Sequence, residues 1–438
     1  MRSRSFVVLS FIFLLVVTVS AAGAKDKGTE ADIANLDSAI SSFPDDGRNI
    51  LNGIQERRTQ RDSLFPVSPL KPVHDSTERM WDSIYQATYL RMGITFNHLF
   101  QWLSDSLPDT TSYGTTTDMD FVGTWELVNR GKTTQGEIFF GVEGRWDYGT
   151  VGPQDMGFIS LASAGGTANA FSAYTPTFLL RNLYWEQGSK KAGWAYRIGK
   201  ITTDATLATS RHLSPTTTFL PHLGTGFFSS GYPDSGLGAT GVWYPADKYR
   251  ILALISNSNS DRYDFGDIGE GDFYKALEVG VKLAPITEKA GYSKVTVWHN
   301  DGTKDGRPSN ANTGAEGYGV TVKVEQELSA TGDIIGILRW GKSWNDSSLY
   351  NEQAGAHLLY YNPPGPARLQ NDLIGIAFNW VDSVEEEARD EYNFEVFYRF
   401  PLFPGLDTRL SYQSVINPAL NTEFDHASVF SLGFRTVF

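Results

Sequence analysis

The sequence predicts an all-β fold: a transmembrane antiparallel β-barrel of about 16 strands, with a short N-terminal helical or extended periplasmic segment. Three observations carry this reading. The final residues put Phe430, Leu432, Phe434, Thr436 and Phe438 on one face of a strand, and Val429, Ser431, Gly433, Arg435 and Val437 on the other. An apolar outer face, an arginine on the inner face and a terminal aromatic suit the closing strand of a membrane barrel, whereas a soluble chain usually lets its last residues fray. The N-terminus reads as an export signal, and no later stretch is long and apolar enough to span a bilayer as a helix, so spanning falls to strands. The rest of the chain repeats one unit, an alternating segment of about ten residues followed by a turn or loop.

Residues 1–24 form the expected signal peptide. Arg2 and Arg4 supply the positive start, Phe6 to Val19 the apolar run, and Ser20 to Ala24 the small residues around cleavage. Residues 25–86 form a periplasmic N-terminal extension. Ile33, Leu36 and Ile40, then Ile50, Leu51 and Ile54, are spaced for helix faces, while Pro44, Pro66, Pro69 and Pro72 interrupt them. Asp75 followed by Glu78 resembles a capping box, which predicts a short helix through Ser83. A disordered tether is the plainer reading of this polar segment.

Residues 87–438 carry the barrel. Ile138, Phe140, Val142, Gly144 and Trp146 alternate with Glu137, Phe139, Gly141, Glu143 and Arg145. Tyr318, Val320, Val322 and Val324 alternate with Gly319, Thr321, Lys323 and Glu325. Strands are expected to start near Ala87, Met119, Gly136, Leu179, Trp194, Leu237, Tyr249, Phe273, Lys294, Tyr318, Ile334, Asn351, Leu373, Glu391, Thr408 and Ala427. Counts of 14 or 18 follow if one segment is split or merged. Short connections alternate with long ones over the first ten strands, as in barrels with tight periplasmic turns and long external loops. The formal charge is −13, and more acidic still without Arg2 and Arg4, which disfavours a nucleic-acid partner. Cysteine is absent, and a barrel closed by its own hydrogen bonds does not need disulfides.

A barrel of this size leaves an aqueous channel, and whatever narrows it decides passage. The long loop from Ile201 to Gly236 carries Arg211, His212, Phe219, His222, Phe227 and Phe228 and is expected to fold inward as a constriction. The inward-facing charges are read as Arg145, Arg197, Lys200, Lys323, Arg339, Arg399, Arg409 and Arg435, with Glu137, Glu143, Glu186, Glu278, Glu325 and Glu395. Carboxylates accept, and guanidinium groups donate, hydrogen bonds to hydroxyl-rich solutes. The plainer reading is that these charges keep the lumen wet and paired. Their near balance predicts weak cation preference, and Glu143 and Glu395 are placed opposite Arg211 across the eyelet.

Several stretches resemble the carbohydrate-selective, OprB-like porin family: Arg197 to Ile201, Gly231 to Asp247, Asp372 to Phe378, Glu391 to Tyr398 and Leu410 to Pro418, followed by the final strand. The resemblance runs in order from about Tyr89 to Phe438. It implies a sixteen-stranded outer-membrane porin that passes mono- and small oligosaccharides by diffusion. Neutral sugars would be the permeants, outer-membrane lipid the surroundings, and the assembly a monomer or a homo-oligomer such as a trimer. The family's Pro-Asp pair is Leu410-Ser411 here, so no sugar contact is carried over at that point. The extension up to Pro72 lies outside the resemblance.

Catalytic signals are poor. The histidines show no His-x-x-x-His spacing, no Gly-x-Ser-x-Gly elbow occurs, and the glycine-rich stretch Gly231 to Gly241 lacks the Lys-Ser/Thr pair of a phosphate loop. No enzyme, cofactor or metal is expected, and the acidic loops around Asp261 to Asp272 and Asp301 read as solvated surface. The alternative class is a barrel acting as an adhesin or surface enzyme, or a secreted all-β glycan-binding protein.

Overall fold

A computed structural model describes residues 63–107, 109–149, 151–156, 163–164, 173, 177–210, 212–283, 290–364 and 372–438. The expected signal peptide and most of the extension, including both predicted helix faces, lie outside the described residues. Helix α1 (Lys71–Thr88) precedes sixteen strands. These are β1 (Leu90–Leu103), β2 (Tyr113–Val128), β3 (Gly136–Asp147), β4 (Phe178–Ser189), β5 (Trp194–Ile201), β6 (Gly236–Ala246), β7 (Tyr249–Asn257) and β8 (Phe273–Lys282). They continue with β9 (Gly291–Asn300), β10 (Gly317–Glu327), β11 (Ile334–Trp344), β12 (Tyr350–Tyr361), β13 (Leu373–Ser383), β14 (Glu391–Phe403), β15 (Leu406–Ile416) and β16 (His426–Val437). Each pairs antiparallel with its chain neighbours, and β16 pairs with β1 to close the barrel.

Closure uses the last residue. Phe438 and Ile94 exchange both backbone bonds, at 2.8 and 3.0 Å. The free edges of an open sheet are thereby removed. Phe430, Leu432 and Phe434 stand outside, while Val429, Ser431 and Gly433 are buried inside. The outer wall carries two aromatic belts. Trp102, Tyr113, Phe178, Tyr318 and Trp344 are exposed near the long-loop end, and Trp125, Trp194, Trp243 and Tyr249 near the short-turn end. Between them stand aliphatic side chains such as Leu277, Val295, Val297, Leu338 and Ile376. This is the outer wall of a membrane-spanning barrel, and no helix among the described residues is long and apolar enough to cross a bilayer.

The expected starts hold to within about four residues except at β2, which begins at Tyr113 rather than Met119. Thr115, Thr116 and Thr117 look like polar linker, yet β-branched threonine fits a pleated wall. Helix α1 also departs from expectation: it opens at Lys71, with Pro72 in its first turn and no side-chain cap. Proline there has a pre-set φ and lacks an N–H that would find no partner anyway, so it starts the helix ahead of Asp75. His74 covers the barrel seam, with Nε2 3.2 Å from Thr436 Oγ1 and its ring 4.6 Å from that of Phe438.

Candidate functional site

The loop joining β5 to β6 folds against the inner wall. Thr203 Oγ1 meets Ser256 Oγ of β7 at 3.2 Å, and the Ala208 N–H donates to Glu278 of β8 at 2.6 Å. The Thr209 carbonyl accepts from Lys294 of β9, at 2.9 Å, and from Lys323 of β10. Further on, Arg409 of β15 donates to the carbonyls of Pro215 and Thr218, at 3.0 and 2.6 Å, and Arg399 of β14 to that of Thr217 at 2.9 Å. Leu220 packs on Leu99 of β1. The loop then returns. Arg339 of β11 holds the carbonyls of Leu223 and Gly226, and Gln353 of β12 bonds the Ser229 N–H at 2.9 Å and the Gly226 carbonyl at 3.1 Å. Phe219 docks into an apolar patch of the inner wall formed with Ile335, Ile337, Leu359, Leu373 and Phe397. The loop thus reaches from β5 to the opposite wall and back.

A backbone folded into a lumen must have its polar groups satisfied. The inward charges perform that task here. Glu325 pairs with Lys323 at 2.8 Å beneath the loop, and Glu395 accepts the Leu220 N–H. Arg197 is clamped to Glu186 at 2.8 Å over the ring of Tyr184. Arg145 pairs with Asp118 at 3.0 Å and with Glu143. Of the sequence-predicted site residues, Arg145, Glu143, Arg197, Glu186, Glu325, Arg339 and Glu395 face inward but are buried. They hold one another or the loop; among the described residues of the ten, only Arg399 is half-buried toward the lumen. Glu395 does not stand free across an eyelet, and Arg211 lies outside the described residues.

Lys200 is a correction. It pairs across the ladder with Leu183 and Leu237, which are on the outer face, and its ammonium donates to the carbonyls of Arg262 and Asp264 beside the Phe265 ring. Strict alternation from Trp194 already puts Lys200 outside; its charge drew it to the wrong face.

Sequence reasoning missed Arg181. A register shift between Gly141 and Val142 leaves Arg181 without a ladder partner on β3, and such bulges re-aim side chains. Arg181 reaches Glu143 at 3.3 Å and also Asp234, at the end of the loop, where Arg262 adds a second contact at 3.1 Å. Burial would raise the Asp234 carboxyl, but the two guanidinium groups hold it below the usual carboxylate range. Arg250, Lys294 and Gln353 were missed too, since each sits in an ordinary alternating strand.

Among the loop's described residues, Ser214, Thr216 and Thr217 carry half-buried neutral hydroxyls, while Thr209 Oγ1 accepts from Lys294 Nζ at 3.3 Å and the Ser210 hydroxyl bonds Glu325. At the mouth, residues of the β3–β4 loop reach the far wall, where Ser163 and Ala164 both donate to Glu391 at 2.6 Å. The nearest approach to a metal-type donor set among the described residues is Asp118, Asp120 and Glu143, within 4.8 Å of one another. Arg145 already bonds two of them, so the group is an ion-pair cluster.

No protein-family model and no curated protein matches the chain. Its fold is similar to that of the high-pH structure of Pseudomonas putida OprB, with a TM-score of 0.67 and 12% identity, covering 86% of this chain and 99% of that one. The low-pH structure of Pseudomonas putida OprB gives a TM-score of 0.51 and 10% identity, covering 83% and 97%. At these identities the likeness is one of fold.

Proposed function

We propose that this chain is an outer-membrane porin, not an enzyme, which passes mono- and small oligosaccharides by passive diffusion. The observation that carries this reading is the inserted β5–β6 loop, whose described residues include the half-buried hydroxyls of Ser214, Thr216 and Thr217, while behind it Lys323 pairs with Glu325 and Glu395 is buried under the Leu220 N–H. A hydroxyl donates and accepts, so a sugar can exchange its water for them at little cost. Fixed charges facing the passage would favour ions instead. The OprB-like fold supports the same conclusion, as do the resemblances along the sequence.

In this reading the signal peptide directs export. The short turns and α1 face the periplasm, the long loops face outward, and lipid contacts the belted wall. The permeants are neutral sugars, taken up by a monomer or a homo-oligomer. Liposomes containing the purified protein should swell in isosmotic sugar, fast with a hexose and progressively slower with di- and trisaccharides. Absence of both swelling and stepwise bilayer conductance would point to an adhesin or lectin instead.

A further inference from the structure

The two ends of the barrel differ in charge. The long loops, the inserted one aside, hold eighteen Asp and Glu against four Lys and Arg. Three consecutive short turns at the other end reverse this balance. Residues 129–135, 190–193 and 247–248 carry Arg130, Lys132, Lys190, Lys191 and Lys248, with Asp247 as their one carboxylate. The turns joining β10 to β11 and β14 to β15 contain no lysine or arginine. The positive charge is therefore an arc on one side of the rim, in a chain whose formal charge is −13.

The arc is continuous and abuts the outer wall. Ser189 Oγ donates to the Thr133 carbonyl at 2.6 Å, and Gln187 Nε2 to that of Thr134 at 3.3 Å, which joins the first turn to the second. The Tyr244 N–H donates to the Gly193 carbonyl at 2.9 Å, which joins the second turn to the strand that leads into the third. Arg130, Lys132, Lys191 and Lys248 are exposed, and none of these four forms an ion pair among the described residues. The cations adjoin the lower aromatic belt. The Arg130 guanidinium lies 4.1 Å from the Tyr89 ring, five residues past Trp125; Lys191 stands three residues before Trp194; and the Lys248 ammonium lies 5.4 Å from the Tyr249 ring. Tryptophan and tyrosine mark the boundary between acyl chains and headgroups, so cations just beyond them reach the depth of the lipid phosphates.

We propose that this arc binds the headgroups of anionic phospholipids, such as phosphatidylglycerol, on the short-turn side of the bilayer. Ammonium and guanidinium groups complement a phosphate that carries net charge, whereas a zwitterionic headgroup brings its own ammonium against them. A polyanion free in solution would need the same cations but not the adjoining belt, so the belt favours lipid. The proposal rests on the membrane-spanning reading of the wall and deepens it from lipid in general to one lipid class on one arc.

The test uses the full protein in detergent, with phosphatidylglycerol or phosphatidylethanolamine of the same acyl chains added and the retained lipids counted by native mass spectrometry. Phosphatidylglycerol should be retained at lower concentration, and the difference should shrink as salt rises. Each cation near an anionic surface contributes about fivefold in affinity. Arg130→Gln, Lys132→Gln, Lys191→Gln and Lys248→Gln combined should therefore raise the half-retention concentration of phosphatidylglycerol about tenfold or more and leave that of phosphatidylethanolamine unchanged. Arg130→Lys should keep the preference. Lys304→Gln with Arg307→Gln, in the loop joining β9 to β10, should alter neither lipid. Heat-modifiable migration shows that each variant is folded. Equal retention of the two lipids, or a preference that survives the fourfold change, overturns the proposal. So does retention of a soluble muropeptide through the same cations in place of phosphatidylglycerol. A protein that takes no heat-modifiable form in vesicles of either lipid overturns the membrane-spanning reading instead.

Discussion

The backbone N–H of Leu220 donates to Glu395 at 3.0 Å, across 175 positions of sequence. The same carboxylate accepts the Ser411 hydroxyl at 2.6 Å, and both residues are fully buried against the inner wall. This contact fixes the tip of the β5–β6 loop on the side of the barrel opposite to its root. Glu395→Ala strands a buried N–H, at roughly 1–3 kcal/mol. The tip should detach part of the time, and single-channel records should become larger and noisier. Records identical to wild type would show that the tip does not depend on Glu395.

Glu278 is the counter-charge for two cations. It contacts Arg250, lies 3.6 Å from Lys294, and takes the Ala208 N–H. Removing one member of such a buried group typically costs about 3–5 kcal/mol, because the remaining charges stay buried without compensation. Glu278→Ala should therefore unfold at clearly lower urea than wild type, with Glu278→Gln in between. Migration of heated and unheated samples across a urea series measures this, and an unchanged midpoint would contradict it.

The anchor at the end of the loop should resist acid. Asp234 is depressed below the ordinary range, so its contribution is present above the unfolded value of about 3.9 and is lost only as pH falls through the lower folded value. Asp204 has the opposite sign. Burial raises it, Arg181 opposes, and the charge of Asp234 adds to the rise; acidification relieves its penalty. Conductance should therefore stay flat from pH 7 to about 4.5, while Asp234→Asn should raise conductance already at pH 7. A steep rise between pH 7 and 5 in the wild type would refute the assignment.

Deleting Phe438 removes the residue that exchanges two backbone bonds with Ile94 and packs under His74. The seam then loses its terminal pairing. Assembly should fall, seen as a smaller heat-modifiable fraction. Normal migration of the truncated chain would count against a role for this residue in closure.

Most of the wall was legible because alternation is local: the faces of β16 or β10 can be read from ten residues. The β2 start was hidden by threonines that serve equally well in linkers and in pleated walls. The site was less legible, because what the inner charges do depends on a loop far from them in sequence. Arg339 reads as pore-lining until Leu223 and Gly226 lie against it. Lys200 was misplaced when charge was weighed above phase, and Arg181 is turned by a bulge that no pattern in β4 announces.

The central claim is that the β5–β6 loop sets the passage. The most direct test deletes about ten residues around its tip, from Ser210 to Phe219, a change that long loops tolerate thermodynamically. Conductance and liposome swelling are then measured on the same preparation. The account predicts a larger single-channel conductance and swelling rates for a hexose and a trisaccharide that draw together. Unchanged conductance with the original size discrimination would mean that the loop does not limit passage.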